Sequence, residues 1–175
     1  MLNSQKVDAH LLALESIRKL TTCRDASVAA KLVLSNFDFL KRLLFLLEDR
    51  PIPEMGLCGH STLCRKILEI LANSCEAVSE SDLQGILSTN NHDLKTRLFL
   101  SFLLSSLHEA STCPHDAFQA ARCMRCLLIS KEVENLLVEM SAIDAISSAR
   151  NVGLNFHEEL EQESHKLIGQ LQNVC

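Results

Sequence analysis

A short apolar phrase recurs along the chain. It is centred on Leu71 and again on Leu171, and a shorter version is centred on Leu20. The three copies read Ile67-Leu68-Glu69-Ile70-Leu71-Ala72-Asn73-Ser74-Cys75, Leu167-Ile168-Gly169-Gln170-Leu171-Gln172-Asn173-Val174-Cys175 and Ser16-Ile17-Arg18-Lys19-Leu20-Thr21-Thr22-Cys23. A single helix of this kind cannot bury its apolar face alone, so recurrence at intervals of tens of residues predicts a stacked helical array.

The composition favours an all-α fold in a single domain over residues 1–175. The chain has 175 residues, of which 47% are hydrophobic and 22% charged, as is usual for a folded domain. It contains seven Phe but no Trp or Tyr. The aromatic enrichment that is typical of β-strands is therefore missing, and aliphatic residues must fill the core.

Apolar residues at steps of three and four predict nine or ten helices. We place them at Ser4 to Thr22, Asp25 to Val33, Asp38 to Leu47, Ser61 to Ala77, Ser81 to Leu87, His92 to Ser111, Asp116 to Ser130, Glu132 to Met140, Ala142 to Arg150 and His157 to Val174. Proline and glycine mark the breaks, which we expect at Arg50 to His60, Thr112 to Pro114 and Asn151 to Asn155. Asp25 and either Ser79 or Ser81 are the expected N-caps.

The helices group into three units, at 25–77, 79–130 and 131–175, behind one leading helix. Leu20, Leu71, Leu127 and Leu171 take equivalent positions, with spacings of 51, 56 and 44 residues. Helical repeats of two or three helices run about 40 to 47 residues, so the first two units need longer loops or helices. The expected architecture is a right-handed α-solenoid.

In these features the chain resembles the armadillo-repeat family, whose third helix carries the phrase A-L-x-x-L-x-N. Residues 67–73 and 167–173 resemble that phrase, and residues 37–44 resemble the family's second helix. The resemblance implies a groove in which asparagines bind the main chain of an extended peptide beside a tryptophan. Glu69, Gly169, Arg18 and Arg125 stand at the tryptophan positions, and Thr22 and Ile129 replace the asparagine. The related HEAT repeat is the alternative fold.

Nine residues at these repeat positions are our candidate partner-binding residues: Arg18, Thr22, Lys66, Glu69, Asn73, Arg122, Arg125, Lys166 and Asn173. Lys66, Arg122 and Lys166 take equivalent positions and predict a basic stripe for an acidic partner segment. The same cations could instead lie on a solvated helix face with ion pairs three or four residues apart. The asparagines could also be helix stop signals.

The sequence offers weak grounds for metal binding or catalysis, and we expect no cofactor. Cys123-Met124-Arg125-Cys126 is an isolated C-x-x-C, which we interpret as core cysteines. Cys58, His60, Cys64, Cys113 and His115 could supply thiolate and imidazole ligands, which keeps a metal-binding or redox module as an alternative. Ser105, Ser106 and His108 lack a glycine elbow beside them, and the acidic run Glu158 to Glu163 is interpreted as complementing a helix dipole.

The function expected from the sequence is a non-catalytic adaptor or scaffold that binds a peptide or helix of another protein. The alternative is a structural piece of a larger helical-repeat assembly. A net charge of −5 provides no general basic field for nucleic acid, and no apolar run reaches the ~20 residues of a membrane span. Eight cysteines could suggest disulfides, but the sequence does not start with a charged segment and an apolar run of signal-peptide type. We therefore expect reduced cysteines in an intracellular protein, cytoplasmic or nuclear.

Overall fold

The described part of the chain contains α-helices and no strand, which confirms the expected all-α class. The computed structural model describes residues 2–23, 25–36, 56–88 and 92–172, and only the backbone at 2–8, 56–61, 88 and 92–95. The helices in these ranges are α1 (Leu2–Thr22), α2 (Ala26–Ser35), α3 (Gly56–Ala77), α4 (Glu80–Ser88), α5 (His92–His108), α6 (Pro114–Leu127), α7 (Lys131–Glu139), α8 (Ala142–Phe156) and α9 (Glu158–Gln172). The predicted helix at Asp38 to Leu47, and Asn173, lie outside the described residues.

The chain divides into two compact units, Met1–Ser79 and Glu80–Cys175. In the first unit, α3 packs against both α1 and α2, and α1 also contacts α2. Ile67, Leu68, Ile70 and Leu71 of the recurring phrase are fully buried, so α3 forms the centre of this unit.

In the second unit, α5 packs on α6 and α8 packs on α9. In addition, α6 packs on α9 and α5 packs on α8, with smaller contacts from α7 to α8 and α5. The core is filled mainly by leucine and alanine. Its fully buried side chains include Leu100, Leu103, Ala117, Ala120, Met124, Leu137, Ile146, Ala149, Leu160, Leu167 and Leu171. The alanines of α6 and α8 let neighbouring helix backbones approach closely.

Several helix boundaries differ from the sequence prediction. α3 begins at Gly56 rather than Ser61, because no proline lies between Pro53 and Ser61 to hinder an earlier start. α6 begins at Pro114 rather than Asp116, since proline is favoured at the first helical position, where the missing N–H costs nothing. Asp25 stands at the N-cap of α2, but its side chain makes no capping hydrogen bond.

The turn predicted at Asn151 to Asn155 is wrong, because α8 continues to Phe156. We predicted it from Gly153, which instead lies where α8 meets α9. A Cβ atom added at Gly153 would lie 2.5 Å from the backbone nitrogen of Glu161. The glycine therefore permits a close contact between two helices, and the chain turns only at His157.

None of the helices in the described ranges is long and apolar enough to cross a lipid bilayer.

Candidate partner-binding faces

Three of the predicted binding residues meet in one charge cluster in the first unit. Arg18 of α1 donates to both carboxylate oxygens of Glu15, from Nε at 3.1 Å and from an Nη at 2.7 Å. Lys66 of α3 donates to Glu15 Oε2 at 2.5 Å, and Glu69 of α3 lies 3.9 Å from Arg18 Nε. Two cations and two carboxylates thus link α1 to α3, and we call these four residues the α1–α3 cluster.

The cluster strongly perturbs its central carboxylate. The hydrogen bonds from Arg18 and Lys66 to Glu15 lower its pKa from 4.5 to about 2. The same contact with Glu15 raises the pKa of Arg18. Glu15 is therefore ionised at any physiological pH, and Arg18 and Lys66 both hold a carboxylate of their own chain.

Thr22 and Asn73, the polar residues near the end of the recurring phrase, differ in exposure. The exposed Thr22 hydroxyl donates to the carbonyls of Arg18 and Lys19 in its own helix, both at 3.1 Å. Asn73 lies half-buried in the last turns of α3. The hydroxyl of Thr22 is thus used within α1 rather than held for a peptide main chain.

In the second unit, three predicted residues lie on adjacent faces of α6 and α9. Arg125 of α6 forms an ion pair with the buried Glu163 of α9, and Lys166 lies 3.2 Å from the same carboxylate. Arg122 precedes Arg125 by one helical turn. Lys166 is the most exposed of the three cations, with 59% of its side chain accessible. Arg122, Arg125, Glu163 and Lys166, together with Phe118, define what we call the α6–α9 face.

The face continues into an aromatic cluster at the start of both helices. The ring centroids of Phe118 and His157 are 5.4 Å apart, and those of His115 and His157 are 5.8 Å apart. The guanidinium carbon of Arg122 lies 5.7 Å from the Phe118 centroid, within cation–π range. Since Phe118 lies beside His157 and Arg125 lies beside Glu163, α6 and α9 run parallel.

Sequence reasoning missed Glu163 and His157. We had assigned the whole acidic run 158–163 to the helix dipole, but Glu163 is only 6% exposed and pairs with Arg125. Its burial could have been predicted from its position on the apolar face of α9, between Leu160 and Leu167. His157 caps α9 by accepting the Leu160 N–H at Nδ1, 3.2 Å away.

The cysteine and serine candidates are described only in part, because the side chains of Cys58 and His60 lie outside the described residues. Cys123 is fully buried and Cys126 is half-buried in α6, as a core role requires. No group of three potential metal ligands occurs among the described side chains. Ser106 donates to the Phe102 carbonyl of its own helix at 3.2 Å, whereas His108 is exposed.

Comparison with known proteins gives no relative from which the fold could be inferred. No protein-family model, curated protein or solved structure matches the chain. The resemblance to armadillo and HEAT repeats therefore stays a prediction, based on the recurring phrase.

Proposed function

We propose that the chain is a non-catalytic protein-interaction module, built as an armadillo-like or HEAT-like helical array, that binds an acidic partner segment on its α6–α9 face. The observation that carries this proposal is that helices in equivalent positions of two predicted repeats pack against each other in the second unit. In the predicted units 79–130 and 131–175, α5 and α8 are the second helices and α6 and α9 are the third. The contacts of α5 with α8 and of α6 with α9 are those that stacked repeats need.

The leading helix fits the same scheme within the first unit. It carries the first copy of the phrase, and α3 carries the second, so both would be third helices of successive repeats. α1 packs directly on α3. This contact supports a repeat register in which α1 and α3 are the third helices of successive repeats.

The chemistry of the α6–α9 face supports an acidic ligand. Arg122 and Arg125 are neighbours on α6, and Lys166 adds an exposed ammonium from α9. A guanidinium has five N–H donors, so an arginine that already holds one carboxylate can still bind another. The Phe118 ring beside Arg122 offers apolar contact as well. An extended segment that alternates carboxylates with apolar residues would match this surface.

A peptide-binding assay tests the proposal. The fluorescence anisotropy of a labelled glutamate-rich decapeptide is measured with the wild type and with the double variant Arg122→Glu, Lys166→Glu. Two lost ion pairs predict binding weakened by about tenfold. The matched control is Lys131→Glu with Arg97→Glu, which reverses two other ion-paired cations of the second unit. Equal losses in both double variants, or no loss in the first, would contradict the proposal.

A second candidate function, a structural piece of a larger helical assembly, is favoured by the surface of the first unit. Leu12 and Leu20 of α1 and Val28 and Leu32 of α2 are each 56–70% exposed. Aliphatic side chains on two successive helices are what a further stacked repeat would cover. Sedimentation of the pure chain decides this: a single monomeric species at micromolar concentration counts against an obligate assembly.

A further inference from the structure

A cleft of about 360 Å³ opens where α8 ends and α9 begins. This volume lies within the range of about 300–1,000 Å³ that is typical of ligand pockets. Gly153 lies at its base, where the backbones of α8 and α9 approach each other, and His157 forms the corner. The cleft adjoins the aromatic cluster at His157, but none of the residues that line it belongs to the α6–α9 face, because the lining comes from the end of α8 and the first turn of α9.

The walls of the cleft carry two apolar side chains that the fold leaves in solvent. Phe156 is 79% exposed and Leu154 is 63% exposed, although both are large hydrophobic residues. The last four carbonyls of a helix have no partner within that helix. The Gly153 carbonyl accepts the His157 N–H at 2.9 Å, and the three later carbonyls belong to residues that line the cleft.

The rim of the cleft is negatively charged. Glu158 accepts a hydrogen bond from the neutral amide of Gln162 at 3.0 Å, and Glu159 lies 3.3 Å from His157 Nδ1. Among the described residues, neither carboxylate pairs with a lysine or an arginine. Glu161 is different, since Arg150 donates to it at 3.1 Å.

The dipoles of α8 and α9 do not neutralise the negative charge of Glu158 and Glu159. The N-terminus of α9 contributes about half a positive charge and the C-terminus of α8 about half a negative charge, so their effects oppose each other. The carboxylates of Glu158 and Glu159 then leave a clear negative excess. An aromatic face, the carbonyls of a helix end and carboxylates together are suited to bind a guanidinium or an ammonium group.

We propose that this α8–α9 cleft binds an arginine or lysine side chain of a basic partner segment, with the cation over Phe156 and beside Glu158. The charge complementarity selects a basic protein segment rather than an acidic one. The site is independent of the proposed function, which concerns an acidic segment on a different face. The module would then bind two segments of opposite charge.

The test uses a fluorescein-labelled nonapeptide of arginine, glycine and serine, and the same peptide with glutamate in place of arginine. Anisotropy titrations compare Phe156→Ala and Glu158→Gln with two controls on α7, Val138→Ala and Glu132→Gln, which remove an exposed aliphatic group and an exposed carboxylate elsewhere. Because Phe156 is mostly exposed, its truncation leaves folding intact, and circular dichroism verifies this.

Wild type is expected to bind the arginine peptide and not the glutamate version at the cleft. Each cleft variant weakens arginine-peptide binding by about two- to fivefold, and the double variant by about tenfold. The proposal is overturned if Glu132→Gln weakens binding as much as Glu158→Gln, since the peptide would then sense only the overall charge. It is also overturned if Phe156→Ala has no effect.

The Arg122→Glu, Lys166→Glu variant separates the two proposals. It is expected to retain arginine-peptide binding while it loses the glutamate-rich decapeptide. Loss of arginine-peptide binding in this variant would contradict the cleft proposal, and unchanged binding of the glutamate-rich decapeptide would contradict the proposal for the α6–α9 face.

Discussion

At the scale of single residues, Gly153 has the most direct structural consequence. A Cβ atom at this position would lie 2.5 Å from the Glu161 nitrogen and 2.9 Å from its Cα, whereas Gly169 has nothing within 4 Å. Backbone atoms cannot move aside as a flexible side chain can. We expect Gly153→Ala to lower the free energy of unfolding by about 1–3 kcal/mol, because α8 and α9 must separate.

Gly169→Ala is the matched control for that substitution. It is expected to raise the free energy of unfolding by about 0.5–1 kcal/mol, since alanine is the better helix former in open space. Urea unfolding followed by circular dichroism measures both variants. Equal effects of the two substitutions would mean that the close contact of α8 and α9 does not exist.

The carboxylate of Glu15 gives a pH-dependent prediction. Its pKa is about 2 in the folded chain against an ordinary value of 4.5. A lowered pKa means that the stabilisation is complete above about 4.5 and is lost as the pH falls from there towards 2. We expect the NMR titration of the Glu15 carboxyl carbon to show a midpoint near 2.

Substitution of its partners tests the cause of that shift. Arg18→Met should raise the pKa of Glu15 towards 4.5, and by more than Lys66→Met, because the hydrogen bond from Arg18 is the larger cause. A wild-type midpoint near 4.5 would exclude the α1–α3 cluster.

At this scale the sequence predicted which residues occupy the helix faces but not what they contact. Arg18, Lys66 and Glu69 were selected by their repeat positions. The structure brings Arg18 and Lys66 to Glu15, and Glu69 to Arg18. Pairing across helices depends on which helix lies alongside, and one helix's own periodicity carries no information on its neighbour. The missed carboxylate Glu163 has the same cause, since its partner Arg125 lies 38 residues away.

At the scale of helices, periodicity predicted most elements, and the errors come from local stop signals. Asn151 to Asn155 looks like a turn because glycine and asparagine are common helix stops. Continuation of α8 to Phe156 depends on its packing against α9, which has more contact with α8 than with any other helix described. A prediction of helix ends from residues close in sequence cannot take that contact between helices into account.

The contact between α6 and α9 also gives a stability prediction. Glu163 is buried beside Arg125, while Lys166 is mostly exposed. Glu163→Ala should lower the free energy of unfolding by about 1–3 kcal/mol, since it removes buried bonds to a charged group. Lys166→Ala should change it by no more than about 0.5 kcal/mol. Thermal unfolding of both variants checks this, and a larger loss from Lys166→Ala would contradict the assigned contacts.

At the scale of the whole molecule, the all-α class followed from composition and periodicity, whereas the partner did not. A composition rich in aliphatic residues and without Trp or Tyr predicted an all-α fold, and the helices of the described ranges confirm that class. The proposed recognition depends instead on a few exposed groups, such as Lys166 and Phe156. Such residues have no periodic pattern of their own, so only their surroundings distinguish them from ordinary surface residues.

The proposed α6–α9 binding face is the central claim, and chemical-shift mapping tests it most directly. The uniformly ¹⁵N-labelled chain is titrated with the unlabelled glutamate-rich decapeptide, and both backbone amides and arginine Nε signals are followed. We predict that the largest changes occur at Arg122 and Arg125 and at backbone amides near Lys166, with little change at Lys131 of α7. Changes that are absent, or as large at Lys131 as at Arg122, would contradict the claim.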